Sequence, residues 1–262
     1  MQARFGALSL DHTRPGFITG APFHAAAELD PFLSEAYARF VLTRPQSGTE
    51  AAHARDVVVQ TARMVHGLLL KDGRLGHCLA TAQLLSRLLN AQGIWNAVIN
   101  GALGVTLPST RLSLPALSDL QGTTVTGHAW VLAPPFLVVD VSVQRQPWDE
   151  HLPLLPQVVL SEQLEPAHVY ADTLLRAEAY AALRRELDRL PTVADVQARV
   201  PWLTKALRRL PIGGLRFGDV RLDYLPLSVP LGHAEERSEE RLAGHSAQSI
   251  LQQLTRQAHP RA

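Results

Sequence analysis

Cysteine is almost missing from this chain. Cys78 is the only one in 262 residues, alongside two methionines and an aromatic content of 6%. A single thiol excludes an intrachain disulfide framework and suits a reducing compartment. Surplus charge is missing too: 25 basic and 24 acidic residues leave a net charge of +1, which gives no electrostatic case for nucleic acid or an acidic membrane as partner. No apolar run approaches the roughly 20 residues of a membrane span. The opening Met1 to His12 lacks the uninterrupted apolar core of a secretory signal. A cytoplasmic protein is therefore expected, with export without a classical signal peptide left open. Glycine-rich phosphate loops are absent, because Gly101–Gly104 and Gly213-Gly214 are not followed by a Lys-bearing helix. No serine nucleophile elbow, internal repeat or low-complexity tract occurs.

What is present is a hydrophobic content of 46%, enough for a sizeable core in one large domain or a core with additions. Residues 1–24, broken by Pro15, Gly16, Gly20 and Pro22, are expected to form an irregular arm. A helix is predicted over Ala25 to Leu42, with an apolar stripe of Leu29, Phe32, Leu33, Ala36, Tyr37 and Phe40. After Arg44-Pro45 a second helix is predicted from a Thr49 cap to Leu70. Ile94 to Leu103 reads as a strand and 104–122 as a long connection. Thr123 to Leu132 and Phe136 to Val143 read as two strands joined by a hairpin at Ala133-Pro134-Pro135. Further on, a helix is expected over Asp172 to Leu190 and one or two short ones over Thr192 to Leu210. Alternation over Gly213 to Val229 suggests a hairpin turning at Gly218-Asp219. The charge run Glu235 to Arg241 reads as a solvated face or tail, ahead of a weak helix near Ile250 to Leu254.

Cys78 stands just where a further helix should begin. Leu84, Leu85, Leu88 and Leu89 recur at helical spacing behind it, and Gly93 supplies the stop. A thiol in a first helical turn lies against unpaired N–H groups and the positive end of the helix dipole, both of which favour thiolate. A lone cysteine is by itself more often a small buried hydrophobe, so the thiol needs a partner. His128 and Asp140, on the two hairpin strands, supply one. A carboxylate within Leu-Val-Val-Asp-Val is costly to bury alone. Beside an imidazole it would fix the tautomer and leave the other ring nitrogen to take the Cys78 proton. The two share a sheet face only if opposed residue numbers total an even value. A two-residue loop pairing Ala133 with Phe136 puts them on opposite faces. A three-residue loop pairing Leu132 with Phe136 puts Asp140 across from His128.

The Cys78 helix, the run Leu-Leu-Asn-Ala-Gln-Gly-Ile-Trp-Asn-Ala-Val-Ile-Asn-Gly, then Gly-His-Ala-Trp-Val and Phe-Leu-Val-Val-Asp-Val-Ser resemble the core of the transglutaminase-like cysteine enzyme superfamily. That group includes microbial transglutaminase-like peptidases, peptide N-glycanases, lasso-peptide leader peptidases and, more distantly, arylamine N-acetyltransferases. The resemblance spans about Val57 to Val143. It departs from the common pattern in Gly76-His77-Cys78-Leu79 and in Asp140-Val141-Ser142, where many members have Asp-Pro-Thr.

The resemblance implies an α+β fold with a papain-like core, the nucleophile helix packed on an antiparallel sheet, and helical additions. Around that catalytic core (49–148), the residue pattern sets an N-terminal arm and helix (1–48) and a mainly helical extension with a hairpin near 213–229 and a polar tail (149–262), both outside the resemblance. The resemblance makes Cys78 the nucleophile, His128 the general base and acid, and Asp140 the orienting carboxylate. The Cys78 N–H is the first oxyanion donor. Gln60 and His77 are candidates for a second, and Trp130 is a candidate to line the site. The expected activity is acyl transfer on an amide of a peptide or protein substrate, without cofactor or metal. A zinc site from His77, Cys78 and His128 lacks a second cysteine or paired histidine spacing. An arylamine N-acetyltransferase-like enzyme and a non-catalytic binding module are the alternatives.

Overall fold

A computed structural model of the chain describes residues 2–125, 127–148, 153–231 and 241–258. The run Glu235 to Glu240 lies outside them. In chain order the elements are α1 (Gln2–Ala7), α2 (Ala21–Leu29), α3 (Leu33–Thr43), α4 (Gly48–Asp72), α5 (Cys78–Ala91), β1 (Ala97–Thr106), β2 (Arg111–Leu114), β3 (His128–Ala133), β4 (Phe136–Asp140), β5 (Val159–Ser161), α6 (Ala171–Leu174), α7 (Ala177–Leu187), α8 (Val193–Arg199), α9 (Pro201–Ala206), β6 (Gly213–Phe217), β7 (Val220–Ser228) and α10 (Ala247–Ala258). The fold is thus a mixture of helices and antiparallel strands. Contacts divide it into two units. The first joins Met1–Val98, Trp130–Glu162 and Val229–Ala262; the second joins Ile99–Ala129 and Gln163–Ser228.

In the first unit the single helix expected over 25–42 is two, because Pro31 interrupts it. The residue before a proline avoids helical backbone, and Asp30 is extended at φ −133° and ψ 90°. Its carboxylate then accepts the Phe32 N–H at 3.2 Å. The expected irregular arm is also corrected: α1 and the first turn of α2 lie within it, short helices whose periodicity is too brief to read. They deliver Phe5 and Phe23 to an aromatic cluster with Phe17, Tyr37 and Phe40. The cap of α4 is Ser47 rather than Thr49. Ser47 Oγ accepts the Glu50 N–H at 3.1 Å, and Glu50 accepts the Ser47 N–H at 2.8 Å. α5 packs on α4 through the predicted leucines, and Leu85, Leu88 and Leu89 are fully buried. Gly93 follows with the left-handed φ of 78° that a helix stop favours. β3, β4 and the unanticipated β5 form antiparallel pairs.

The C-terminal part of this unit is pinned to the end of α4. The Ala243 N–H donates to Asp72 at 2.7 Å, Arg74 pairs with Asp72, and Arg74 donates to the Arg241 carbonyl at 2.7 Å. The Arg74 guanidinium and then the Ala243 amide hold the Asp72 carboxyl below its ordinary value of 3.8. A carboxyl depressed by folding stabilises at pH above that ordinary value, and the contribution is lost as pH falls through the lower folded one. Wild-type chain should therefore lose more stability than Asp72→Asn when acidified from pH 5 to pH 3. Urea unfolding at both values checks this, and equal losses would refute it.

In the second unit, β1 begins and ends three residues later than predicted. The expected long connection is partly a return strand, with β2 paired to β1 from Leu103↔Leu114 to Thr106↔Arg111. β7 pairs with β1 and with β6, in the hairpin expected at Gly218-Asp219. The helix expected over 172–190 breaks between α6 and α7 for a physical reason. Leu117 N–H donates to Leu174 O, and Leu117 O accepts from Arg176 N–H, each at 3.0 Å, drawing residues 175–176 into a bridge. Leu117, Leu174, Leu183, Val196, Leu203 and Leu225 form the core here. Buried Arg221 and Asp223 are paired at 3.0 Å, and Asp223 also accepts the His168 N–H at 2.9 Å.

Candidate functional site

Cys78 is the first residue of α5 and is 3% exposed. The preceding His77 provides no side-chain cap. The first turn's N–H groups, which have no partner within the helix itself, thus receive no bond from the cap side chain. The approach is fixed at both ends. Gly76, at φ 74°, donates its N–H to the Arg145 carbonyl at 2.9 Å, and the Arg145 guanidinium donates to the Gly73 carbonyl at 2.8 Å. The loop before the thiol is therefore tied to the segment that follows Asp140.

Asp140 closes β4 and is 1% exposed. Its Oδ1 accepts the Ser142 N–H at 2.8 Å and the Ser142 hydroxyl at 3.1 Å. The Ser142 carbonyl in turn accepts the buried Gln146 amide at 3.0 Å. His66, on the buried side of α4, donates Nδ1–H to the Val141 carbonyl at 3.0 Å. Ser142, Gln146 and His66 form this support and were not singled out by sequence reasoning. A serine two residues after an aspartate is a turn pattern that could have found Ser142. No comparable signal marks His66, whose burial depends on which strand end meets α4.

His128 opens β3 in the second unit, fully buried, with its ring centroid 6.3 Å from that of Tyr224. Its position depends on Gly127. A Cβ there would lie 2.7 Å from the backbone oxygens of Gly101, Leu114 and Pro115, so a chain with any side chain at 127 cannot follow this path.

The hairpin register follows neither of the two alternatives. Ala133 pairs with Phe136 across a two-residue turn, but the register then shifts and Val131 pairs with Val139. Leu132 is consequently opposed by both Leu137 and Val138, a bulge on β4. Beyond it opposed numbers total an even value. Trp130 and Asp140 therefore share a face. Trp130 is buried.

The two remaining candidates lie elsewhere in the first unit. His77 is exposed and lines a small cleft with Asp72, Arg74, Thr81 and Leu242. Gln60 is half-buried on α4 and opens on a groove with Arg63, Met64 and Gln253, whose lining includes no other candidate. Among the described residues no three His, Cys, Asp or Glu side chains are placed to hold a metal ion. No described helix is long and apolar enough to cross a membrane. No known family model matches the sequence, and neither curated proteins nor solved structures show significant similarity to it.

Proposed function

We propose that this protein is a cytoplasmic, transglutaminase-like cysteine enzyme with a papain-like core, which transfers an acyl group from an amide of a peptide or protein substrate. In this reading His128 takes the Cys78 proton, and Sγ adds to the amide carbonyl. The Cys78 N–H, with Gln60 or His77 as second donor, holds the oxyanion. The C–N bond then breaks, the leaving amine takes the proton from His128, and a thioester remains on Cys78. Water or a second amine, deprotonated by His128, resolves it to an acid or a new amide. Asp140 holds the imidazole tautomer and stabilises its cation, and Trp130 lines the site.

The observation that carries this reading is Cys78 at the first position of α5, with no side-chain cap competing for the helix terminus. A thiol activated for nucleophilic attack should react with iodoacetamide about tenfold faster than the thiol of the urea-unfolded chain. Intact-mass kinetics should show this adduct on wild-type chain and none on Cys78→Ala. Incubation with a glutamine peptide, an ester and acetyl-CoA should give an acyl adduct from the first two. Adduct from acetyl-CoA alone would favour an arylamine acetyltransferase. Alkylation no faster than in urea-unfolded chain, with no acyl adduct, would leave a binding module.

A further inference from the structure

A groove lies beside α4, and of the residues lining it only Gln60 enters the mechanism above. It measures 680 Å³ and is formed by one face of α4 from Arg55 to Lys71, with Gln253 of α10 on its wall. That length of helix is roughly 24 Å at ~1.5 Å per residue. Val59, Met64 and Leu68 give it an apolar floor, and Gln60 and Gln253 contribute amides.

Two features point outward. Gly67 sits mid-helix, where glycine costs about 1 kcal/mol relative to alanine. Nothing lies within 4 Å of where its Cβ would be, so no internal neighbour requires the glycine. Its effect is a notch in the groove floor. Secondly, the cations at the groove are unequal. Arg55 is spent on Glu162, at 2.6 and 2.8 Å. Arg63 and Lys71 have no ion-pair partner among the described residues. Asp56 is the single acidic residue lining the groove.

We infer that this groove docks an amphipathic helical peptide segment whose polar face is acidic. Its apolar residues would cover Val59, Met64 and Leu68, a large side chain would enter the Gly67 notch, and its carboxylates would meet Arg63 and Lys71. An apolar floor, amide walls and an acidic residue fit a peptide better than a phosphate backbone or a lipid surface, which would call for cations throughout. The inference does not depend on Cys78 chemistry, since binding should survive Cys78→Ala.

Two fluorescein-labelled peptides of about 16 residues, matched to the ~24 Å of groove, test it. They share one Leu/Ala pattern and carry Glu or Lys on the polar face. Anisotropy with the full chain should show saturable binding of the Glu peptide, about tenfold tighter than the Lys peptide. Gly67→Leu should weaken Glu-peptide binding at least about tenfold while the melting temperature holds or rises. Arg63→Glu with Lys71→Glu should reverse the charge preference. No saturable binding, indifference to either change, or equal affinity for both peptides would overturn the inference. So would binding to phosphatidylserine vesicles that the Glu peptide fails to displace, or a concentration-dependent dimer abolished by Gly67→Leu.

Discussion

Gly127→Ala is expected to destabilise the protein by more than about 4 kcal/mol, in the range reserved for changes with a specific steric or polar cause. The methyl group would stand 2.7 Å from three main-chain oxygens, those of Gly101, Leu114 and Pro115. A carbon meets a carbonyl oxygen comfortably only beyond about 3.3 Å. Flexible side-chain ends could give way, but three carbonyls cannot do so independently. Gly101 is held in β1 against β7, and Leu114 in β2 against β1. Relief requires parting those strands or displacing residue 127 and with it His128. For a chain of this size the loss corresponds to a fall in melting temperature of roughly 10 °C or more. Thermal unfolding followed by circular dichroism measures it, and a change of only a few degrees would contradict the packing described.

The second large effect is on activity rather than stability. Asp140→Asn should lower kcat by roughly 10³–10⁴-fold under the proposed mechanism, the scale on which loss of an orienting carboxylate acts elsewhere. Stability should change little, because an asparagine oxygen can still accept the Ser142 N–H and hydroxyl that now bond Oδ1 at 2.8 and 3.1 Å. The amide's N–H₂, however, cannot stabilise an imidazole cation. Turnover of whichever amide substrate acylates Cys78, measured with the melting temperature, separates the two roles. A kcat within about tenfold of wild type would remove Asp140 from the mechanism.

Much of the helical framework is readable from residues because its signals are local. The leucine period of α5, its glycine stop, and the Gly218-Asp219 turn each sit within a few residues of what they determine. Pro31 is equally local, and its interruption of α2 and α3 illustrates that one proline outweighs an apolar stripe. The failures are of another kind. β2 is Arg-Leu-Ser-Leu, without enough apolar alternation to announce a strand, and it forms because β1 extends to Thr106. The break after α6 is made by Leu117, far back in the chain. At the candidate site, Leu137-Val138-Val139 is apolar on either face, so no pattern could disclose the bulge that decides which side Asp140 takes.

The first unit is assembled from three stretches of chain, and α10, near the end of the last, packs against α5 through a face that includes fully buried Ile250. During synthesis the helix that bears the thiol would therefore leave the ribosome long before the partner for its outer side exists. Its hydrophobic flank must wait, uncovered or borrowed by a chaperone, until translation has passed the second unit altogether. A nascent chain halted near residue 230 should for that reason aggregate or be degraded rather than display a working thiol.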